Sequence, residues 1–457
     1  MQVQRVANRD FLAEAAAGLL LVAALLFGGG SRGLGDLVVH LCALPAALLA
    51  LLRWRQDRTS RAQRAFLYLL MAALALVALQ LVPLPAAWIS QLPQRAGVLR
   101  DLKLAGLQPD WLPIALDRWG SVRSLLALGT FISMWGLATT LSASARLRLL
   151  KLALLVSAPL VLLGFAQVAG GQHVDLQFHS FQNVGSATGS FANHNHFASL
   201  LAMLAPFAIA FGYLAQREHR LGWAAAWYAT TVLVLLGSAL TFSRAGVVLA
   251  SLAAAAAAVL VWRDRAARIG TAGRSSARAA LLVTLGLTAL AVAHYAWNRI
   301  LGRFEQDALG DQRWVYLEYG LDAVRTYFPW GSGAGSFRDV YAPFEPVGAM
   351  TTTYALHAHN DLLETTLELG APGLLLLVCV TICLLLVMRK NLTAATGPDA
   401  IIAGVTAVAV LGPLLHSLLD YPLRTLEVAV LFALVVAQLT AMRSDSFHSS
   451  GSADVVS

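Results

Sequence analysis

The chain has 457 residues, of which 58% are hydrophobic and 13% charged, with a mean hydropathy of +0.66. A soluble domain carries about 25% charged residues, so a soluble enzyme, a disordered scaffold and a disulfide-stapled secreted module are excluded. The net charge of +8 arises from 33 Lys and Arg against 25 Asp and Glu. These basic residues fall in short clusters between long apolar runs, a pattern that reports membrane orientation before it reports nucleic acid.

A helix needs about 20 mostly apolar residues to cross about 30 Å of hydrocarbon. Twelve such runs lie near 11–28, 35–52, 65–83, 122–142, 152–169, 196–215, 221–241, 245–262, 279–298, 371–388, 400–418 and 425–442. The expected fold is therefore an all-α polytopic membrane protein with about twelve transmembrane helices. A single bundle spans 1–443, and a polar, disordered cytoplasmic tail occupies 444–457. The first run follows Arg5 and Arg9 without a small-residue cleavage site, so it reads as a retained helix. With a cytoplasmic N-terminus and alternating spans, 20 Lys and Arg fall inside and 13 outside, against 8 and 17 acidic residues. The two faces then carry +12 and −4, which puts both termini in the cytoplasm.

Cys42, Cys379 and Cys383 all lie within apolar runs, without CxxC or Cys/His spacing. They are expected to be small, buried and inert, with no metal site. The Ala run 253–258 suits close helix packing.

Three outer segments are too long or too polar to be simple connectors. The first, 84–121, contains Trp88, Trp111 and Trp119, and its expected role is packing at the headgroup level. The second, 181–199, is rich in Gly, Ser and Asn and reads as an ordered turn. There Asn193, His194, Asn195 and His196 crowd donors and acceptors at a helix start. Helix capping accounts for one or two of them, and four in succession point to a site lining. The third, 299–370, is a large loop with Arg299, Arg303, Arg313, Arg325, Arg338, His357 and His359. Its stretch 312–328 reads as an amphipathic helix, so the loop is expected to be ordered and functional.

Arginines on the outer face depart from the orientation rule. Arg244, in TFSRAG at the end of a span, needs a partner near membrane depth, and phosphate matches its planar fork. Arg313, Arg325 and Arg338 are further candidates for such a contact. The segment 357–373, HAHNDLLETTLELGAPG, is the best candidate for catalysis, with His359 at the mouth of the bundle. An unperturbed imidazole titrates near pH 6.5 and can take a proton from a hydroxyl. Asp361, Glu364 and Glu368 fall on the opposite helix face at about 100° per residue, and are expected to form a solvated face.

These segments together resemble the bacterial O-antigen ligase family, which includes O-antigen and exopolysaccharide polymerases. The family pattern is His, then Asn, Ser or Gln, nine residues, Gly, two residues, and Gly, Thr or Tyr. His359-Asn360, Gly370 and Gly373 fit it. GSFANHNHFASLLAM, TFSRAG and DQRWVYLEYGLDAVRTYFPWGSGAGSF resemble family segments in the family order, over about 180–435.

The resemblance implies a multi-pass protein of the bacterial inner membrane with its active site facing the periplasm. It implies an inverting, metal-independent glycosyltransferase that needs no cofactor. The donor partner would be a glycan on undecaprenyl diphosphate. The acceptor would be a saccharide, either lipid A-core (ligase) or another lipid-linked repeat (polymerase). His359 would be the general base, with Arg244 on the diphosphate and Arg313 stabilising the leaving group. Asn360, Asn193, His194, Asn195, His196, Arg325 and Arg338 would bind substrate. LLHSLLDYPLRTLEV, with His416, Asp420 and Arg424, is similar to a segment of exopolysaccharide-type relatives and keeps polymerase level with ligase. A protein O-oligosaccharyltransferase, or a lipid-linked glycan flippase or transporter, is the alternative; transporters place their polar groups near the bilayer midplane.

Overall fold

Backbone amides inside a bilayer must be paired within their own segment, which makes helices of apolar runs this long. The computed structural model describes residues 2–30, 33–54, 59–171, 176, 178–179, 185–268, 312–350 and 355–442. Helices α1 (Gln2–Phe27), α2 (Leu34–Arg53) and α3 (Arg61–Gln80) lead into a connecting segment. That segment holds β1 (Leu84–Pro85), α4 (Ala86–Ile89), α5 (Arg95–Leu104) and β2 (Trp111–Leu112). Next come α6 (Arg118–Thr140), α7 (Ala143–Gly170), α8 (His194–Arg217), α9 (Leu221–Leu240) and α10 (Arg244–Arg268). Helices α11 (Gln312–Tyr327) and α12 (Phe337–Tyr341) precede α13 (Asp361–Ala394), α14 (Gly397–His416) and α15 (Leu426–Ala441).

Among the described residues, ten helices have the length and apolarity of a membrane span, and Leu426–Ala441 is a shorter apolar helix. The expected ninth run, 279–298, lies outside the described residues. So do 299–311, with Arg299 and Arg303, and the tail 444–457. The all-α expectation is amended by one two-stranded antiparallel ribbon, in which Leu84 pairs with Leu112 and Pro85 with Trp111. Trp88, Trp111 and Trp119 in and just after this connecting segment are exposed. The three cysteines are free and half-buried.

Two helices form the centre of the bundle. Helix α8 is buried along nearly its whole length, and every residue from Leu426 to Thr440 of α15 is buried. Their Ala, Gly and Ser positions let neighbouring backbones approach closely. Because successive spans run in opposite directions, the turns before α8, α10, α13 and α15 gather at one end. Cross-links tie that end together: His194 Nδ1 lies 2.6 Å from the Thr241 carbonyl oxygen, and the Asp361 amide donates to the Ser417 carbonyl at 2.8 Å. The Gln80 amide side chain donates to the Glu368 carbonyl at 3.0 Å. At the opposite end, Trp135 Nε1 donates to Thr440 Oγ1 at 3.2 Å.

Candidate active site

The site grows from the way α13 begins and breaks. Asn360 caps the helix, its side-chain oxygen accepting from the Leu363 amide at 3.0 Å. Such a cap satisfies one of the orphan donors of a first helical turn. The Asn360 side-chain amide also donates to the Leu418 carbonyl at 3.2 Å. His359 therefore lies just before the helix, with a left-handed φ of 51°. Ten residues into α13, Gly370 breaks the helix with φ 64°, and a Cβ there would collide with the Pro329 carbonyl. The carbonyls exposed by the break are taken up by the loop after α11. Ser332 and Gly333 amides donate to the Leu367 and Glu368 carbonyls at 2.9 Å each, and the Ala371 amide donates to the Pro329 carbonyl at 2.8 Å. The spacing from His359 to Gly370 thus joins the His359 turn to the loop after α11 through one rigid helical piece.

Asp420, with no exposed surface, is the point on which three elements converge. From α8, Asn195 Nδ2 donates to its Oδ2 at 2.6 Å, and His196 Nε2 lies 3.6 Å from Oδ1. From α11, Arg313 Nη2 lies 3.6 Å from Oδ2. From the turn before α13, His359 Nδ1 lies 3.1 Å from Oδ1, a contact whose alignment falls short of a hydrogen bond. The Tyr421 amide donates to Oδ1 at 2.9 Å. Burial opposes ionisation of Asp420, but the His196 and His359 imidazoles outweigh it and hold the carboxyl well below the usual range. His416, in the last turn of α14, reaches Ser199 Oγ through Nδ1.

Aromatic rings fix the imidazoles. Tyr421 packs against His357 at 4.1 Å, His196 at 4.7 Å and His359 at 4.9 Å between ring centroids. Tyr316 stacks on the other side of His359 at 5.9 Å. Burial, then the Asp420 charge, pushes the Tyr421 phenol up, so it stays neutral. With Nδ1 turned to a carboxylate, Nε2 is the ring nitrogen left to meet a ligand. His359 is 26% exposed and Arg313 32% exposed, so both can meet a ligand.

The structure brings His359, Arg313, Asn195 and His196 together around Asp420. Asn193 caps α8, accepting from the Asn195 amide at 2.8 Å, while His194 ties α8 to the turn before α10. Arg244 opens α10, half-buried, in a turn where Phe242 has φ 54° and Ser243 Oγ accepts from the Gly246 amide at 3.1 Å. Gly246 packs on Ala198, in the first turns of α8, so Arg244 stands at the same end of the bundle as Asn195. Arg325 and Arg338 instead pair on the surface with Asp322 at 2.7 Å and Asp339 at 2.8 Å. Among the described residues, no group of three or more His, Cys, Asp or Glu is arranged to hold a metal ion.

One expectation is corrected. Asp361, Glu364 and Glu368 do not form a solvated face: the Glu364 and Glu368 side chains are buried and all three bond to Arg424, at 2.9 Å, 3.0 Å and 3.0 Å. Their partner comes from the turn before α15, far along the chain, where helical periodicity within 357–373 gives no view of it. Asp420, Tyr421 and Arg424 are the residues of this layer to which the sequence alone assigns no role. Their signals are a short polar interruption, 417–424, between two long apolar runs, and the likeness of LLHSLLDYPLRTLEV to a segment of exopolysaccharide-type relatives.

Residues 229–378, about one third of the chain, match the family model described as O-Antigen ligase. The match takes in Arg244, Arg313, His359, Asn360, Gly370 and Gly373, and ends before Asp420. No curated protein matches the chain. Residues 229–378 of this multi-pass membrane chain are thus similar to the O-antigen ligase domain.

Proposed function

We propose that this chain transfers a glycan en bloc from undecaprenyl diphosphate to a saccharide hydroxyl, on the periplasmic side of the bacterial inner membrane. The observation that carries the reading is the contact of His359 with buried Asp420 inside a layer that also holds Arg313. His359 Nε2 takes the proton of the acceptor hydroxyl as its oxygen attacks the anomeric carbon. The bond from that carbon to the diphosphate oxygen breaks, its electron pair leaves with the diphosphate, and the configuration inverts. Diphosphate is already a good leaving group, so the protein's task is positioning and charge stabilisation.

Arg313 and Arg244 supply positive charge to the departing diphosphate. The guanidinium of Arg313 contacts Asp420 through Nη2, which orients it and leaves further donors of its fork for phosphate. Asp420 stabilises the imidazolium that forms on His359, as a buried carboxylate does for a catalytic histidine. Asn193, His194, Asn195, His196 and Asn360 build the walls, and Arg325 and Arg338 are outlying contacts for a long glycan. The acceptor is lipid A-core in a ligase and a second lipid-linked repeat in a polymerase.

The test is a reconstituted assay in proteoliposomes with EDTA present. Wild type should move glycan between lipid carriers and His359→Ala should not. Transfer retained by His359→Ala would sink the base assignment, and glycan crossing the bilayer without transfer would favour a flippase. In a deletion strain, unpolymerised single repeats would identify a polymerase, whereas full-length glycan left on undecaprenyl would identify a ligase.

A further inference from the structure

His359 holds a backbone conformation that a non-glycine residue rarely adopts. Such a conformation persists only where its surroundings over-determine it. On the side after His359, the Asn360 cap and the Asp361 amide bond to Ser417 provide that support. On the side before it, the support is Glu364. Its Oε2 accepts from the Ala358 amide at 2.8 Å, and its Oε1 meets His357 Nδ1 at 2.8 Å. Glu364 is buried, so it can do this only with a cation beside it.

That cation is Arg424. Its Nη1 lies 3.0 Å from Glu364 Oε1 and 3.0 Å from Glu368 Oε2, and its Nε lies 2.9 Å from Asp361 Oδ1. Glu368 in turn accepts from the Phe337 amide at 3.3 Å. One guanidinium therefore ties together the turn carrying Asp420, the first two turns of α13 and the loop after α11. Arg424 follows Asp420 by four residues, and Glu364 follows His359 by five. The same strut thus fixes both partners of the His359–Asp420 contact relative to each other.

We propose that Arg424, acting through Glu364 on His357 and the Ala358 amide, is a positioning residue that sets the His359 turn against Asp420 for glycan transfer. This rests on the glycosyltransferase reading given above. A fork that engages three carboxylates at once is a task for arginine; the point charge of lysine cannot span it. Glu364→Gln keeps an acceptor for the Ala358 amide but loses the charge that faces Arg424 and His357. Glu364 is buried and the Arg424 guanidinium is turned to three carboxylates, so their loss should lower turnover and leave donor affinity intact.

The experiment compares full-length wild type, Glu364→Gln, Arg424→Lys, Arg424→Ala and His359→Ala in proteoliposomes with a lipid-linked donor. For Glu364→Gln and Arg424→Lys, kcat should fall about 10- to 100-fold, the scale of a misplacement of about 1 Å. Donor KM should stay within about threefold of wild type, on the expectation that only the base has moved. Added guanidinium ion should restore part of the activity of Arg424→Ala and none of that of His359→Ala. Should Arg424→Ala fail to fold, Glu364→Gln, nearly isosteric with the native side chain, carries the test.

Wild-type kcat in both Glu364→Gln and Arg424→Lys, with His359→Ala inactive, would overturn the strut and leave the transfer reading standing. A fall confined to KM would place these residues at the substrate and overturn the strut as well. No transfer by wild type would remove both.

Discussion

His359 Nδ1 stands 3.1 Å from Oδ1 of Asp420, a carboxylate with no exposed surface. This pairing fixes which imidazole nitrogen faces outward, so its removal should be felt in turnover. Asp420→Asn keeps the shape but loses the charge that stabilises an imidazolium. We expect kcat to fall by about 10²- to 10⁴-fold, with donor binding retained. Single-turnover rates beside a donor-binding measurement check this, and an unchanged rate would remove Asp420 from the mechanism.

The same carboxylate gives a pH dependence of stability. Its folded value is depressed, because the His196 and His359 imidazoles outweigh burial, whereas an unfolded Asp titrates near about 3.9. A depressed folded value contributes stability that is fully present above the unfolded value and lost as pH falls through the folded one. The difference in thermal midpoint between wild type and Asp420→Asn should therefore be fully present at about pH 5. It should narrow below about pH 4. Arg424 adds no competing slope there: burial works against its charge, but the facing Glu364, Glu368 and Asp361 raise its value. A difference that widens below about pH 4 would contradict this account.

The helices were legible because bilayer length and apolar composition are properties of single runs. Leu34–Arg53 and Leu221–Leu240, for instance, fall within a residue or two of their apolar stretches. The start of α8 was legible in part, since a string of Asn and His before an apolar run signals a capped, polar helix mouth. What periodicity could not supply was pairing between distant turns. Glu364 and Glu368 look like ordinary surface acids within 357–373, yet Arg424 makes them a buried cluster. Asp420 stands in a short polar break whose likeness to a segment of relatives assigns it no role, although Asn195, His196, Arg313 and His359 all turn to it. Tertiary partners decide such residues, and local pattern carries no record of them.

Gly370 explains why the motif demands glycine at that spacing. Its φ of 64° and the Pro329 carbonyl directly beside it leave no room for a Cβ. Gly370→Ala should destabilise the protein by about 1–3 kcal/mol, the cost of a forced backbone outlier, before the steric clash is added. The loop at 329–333 should loosen, which hydrogen exchange at the Ser332 and Gly333 amides would read. Gly348→Ala, where a Cβ meets nothing within 4 Å, is the matched control and should be close to neutral. Equal protection in Gly370→Ala and wild type would show that the loop does not depend on this break.

The arginines separate into two tests. Arg325 is 75% exposed and pairs with Asp322 one turn back, and exposed pairs of this kind contribute about 0–1 kcal/mol. Arg325→Ala should therefore leave the thermal midpoint nearly unchanged, so any loss of transfer would report a glycan contact. Arg313 differs, because its guanidinium faces Asp420 and the open side of the site together. Arg313→Ala should lower kcat by about 10²- to 10³-fold, the scale for one lost donor to a developing anion. Arg313→Lys should recover only part of that loss, since an ammonium cannot meet a carboxylate and a phosphate in one plane. Measuring kcat for the three variants at saturating donor decides the matter, and full activity in Arg313→Ala would move the leaving-group contact to Arg244 alone.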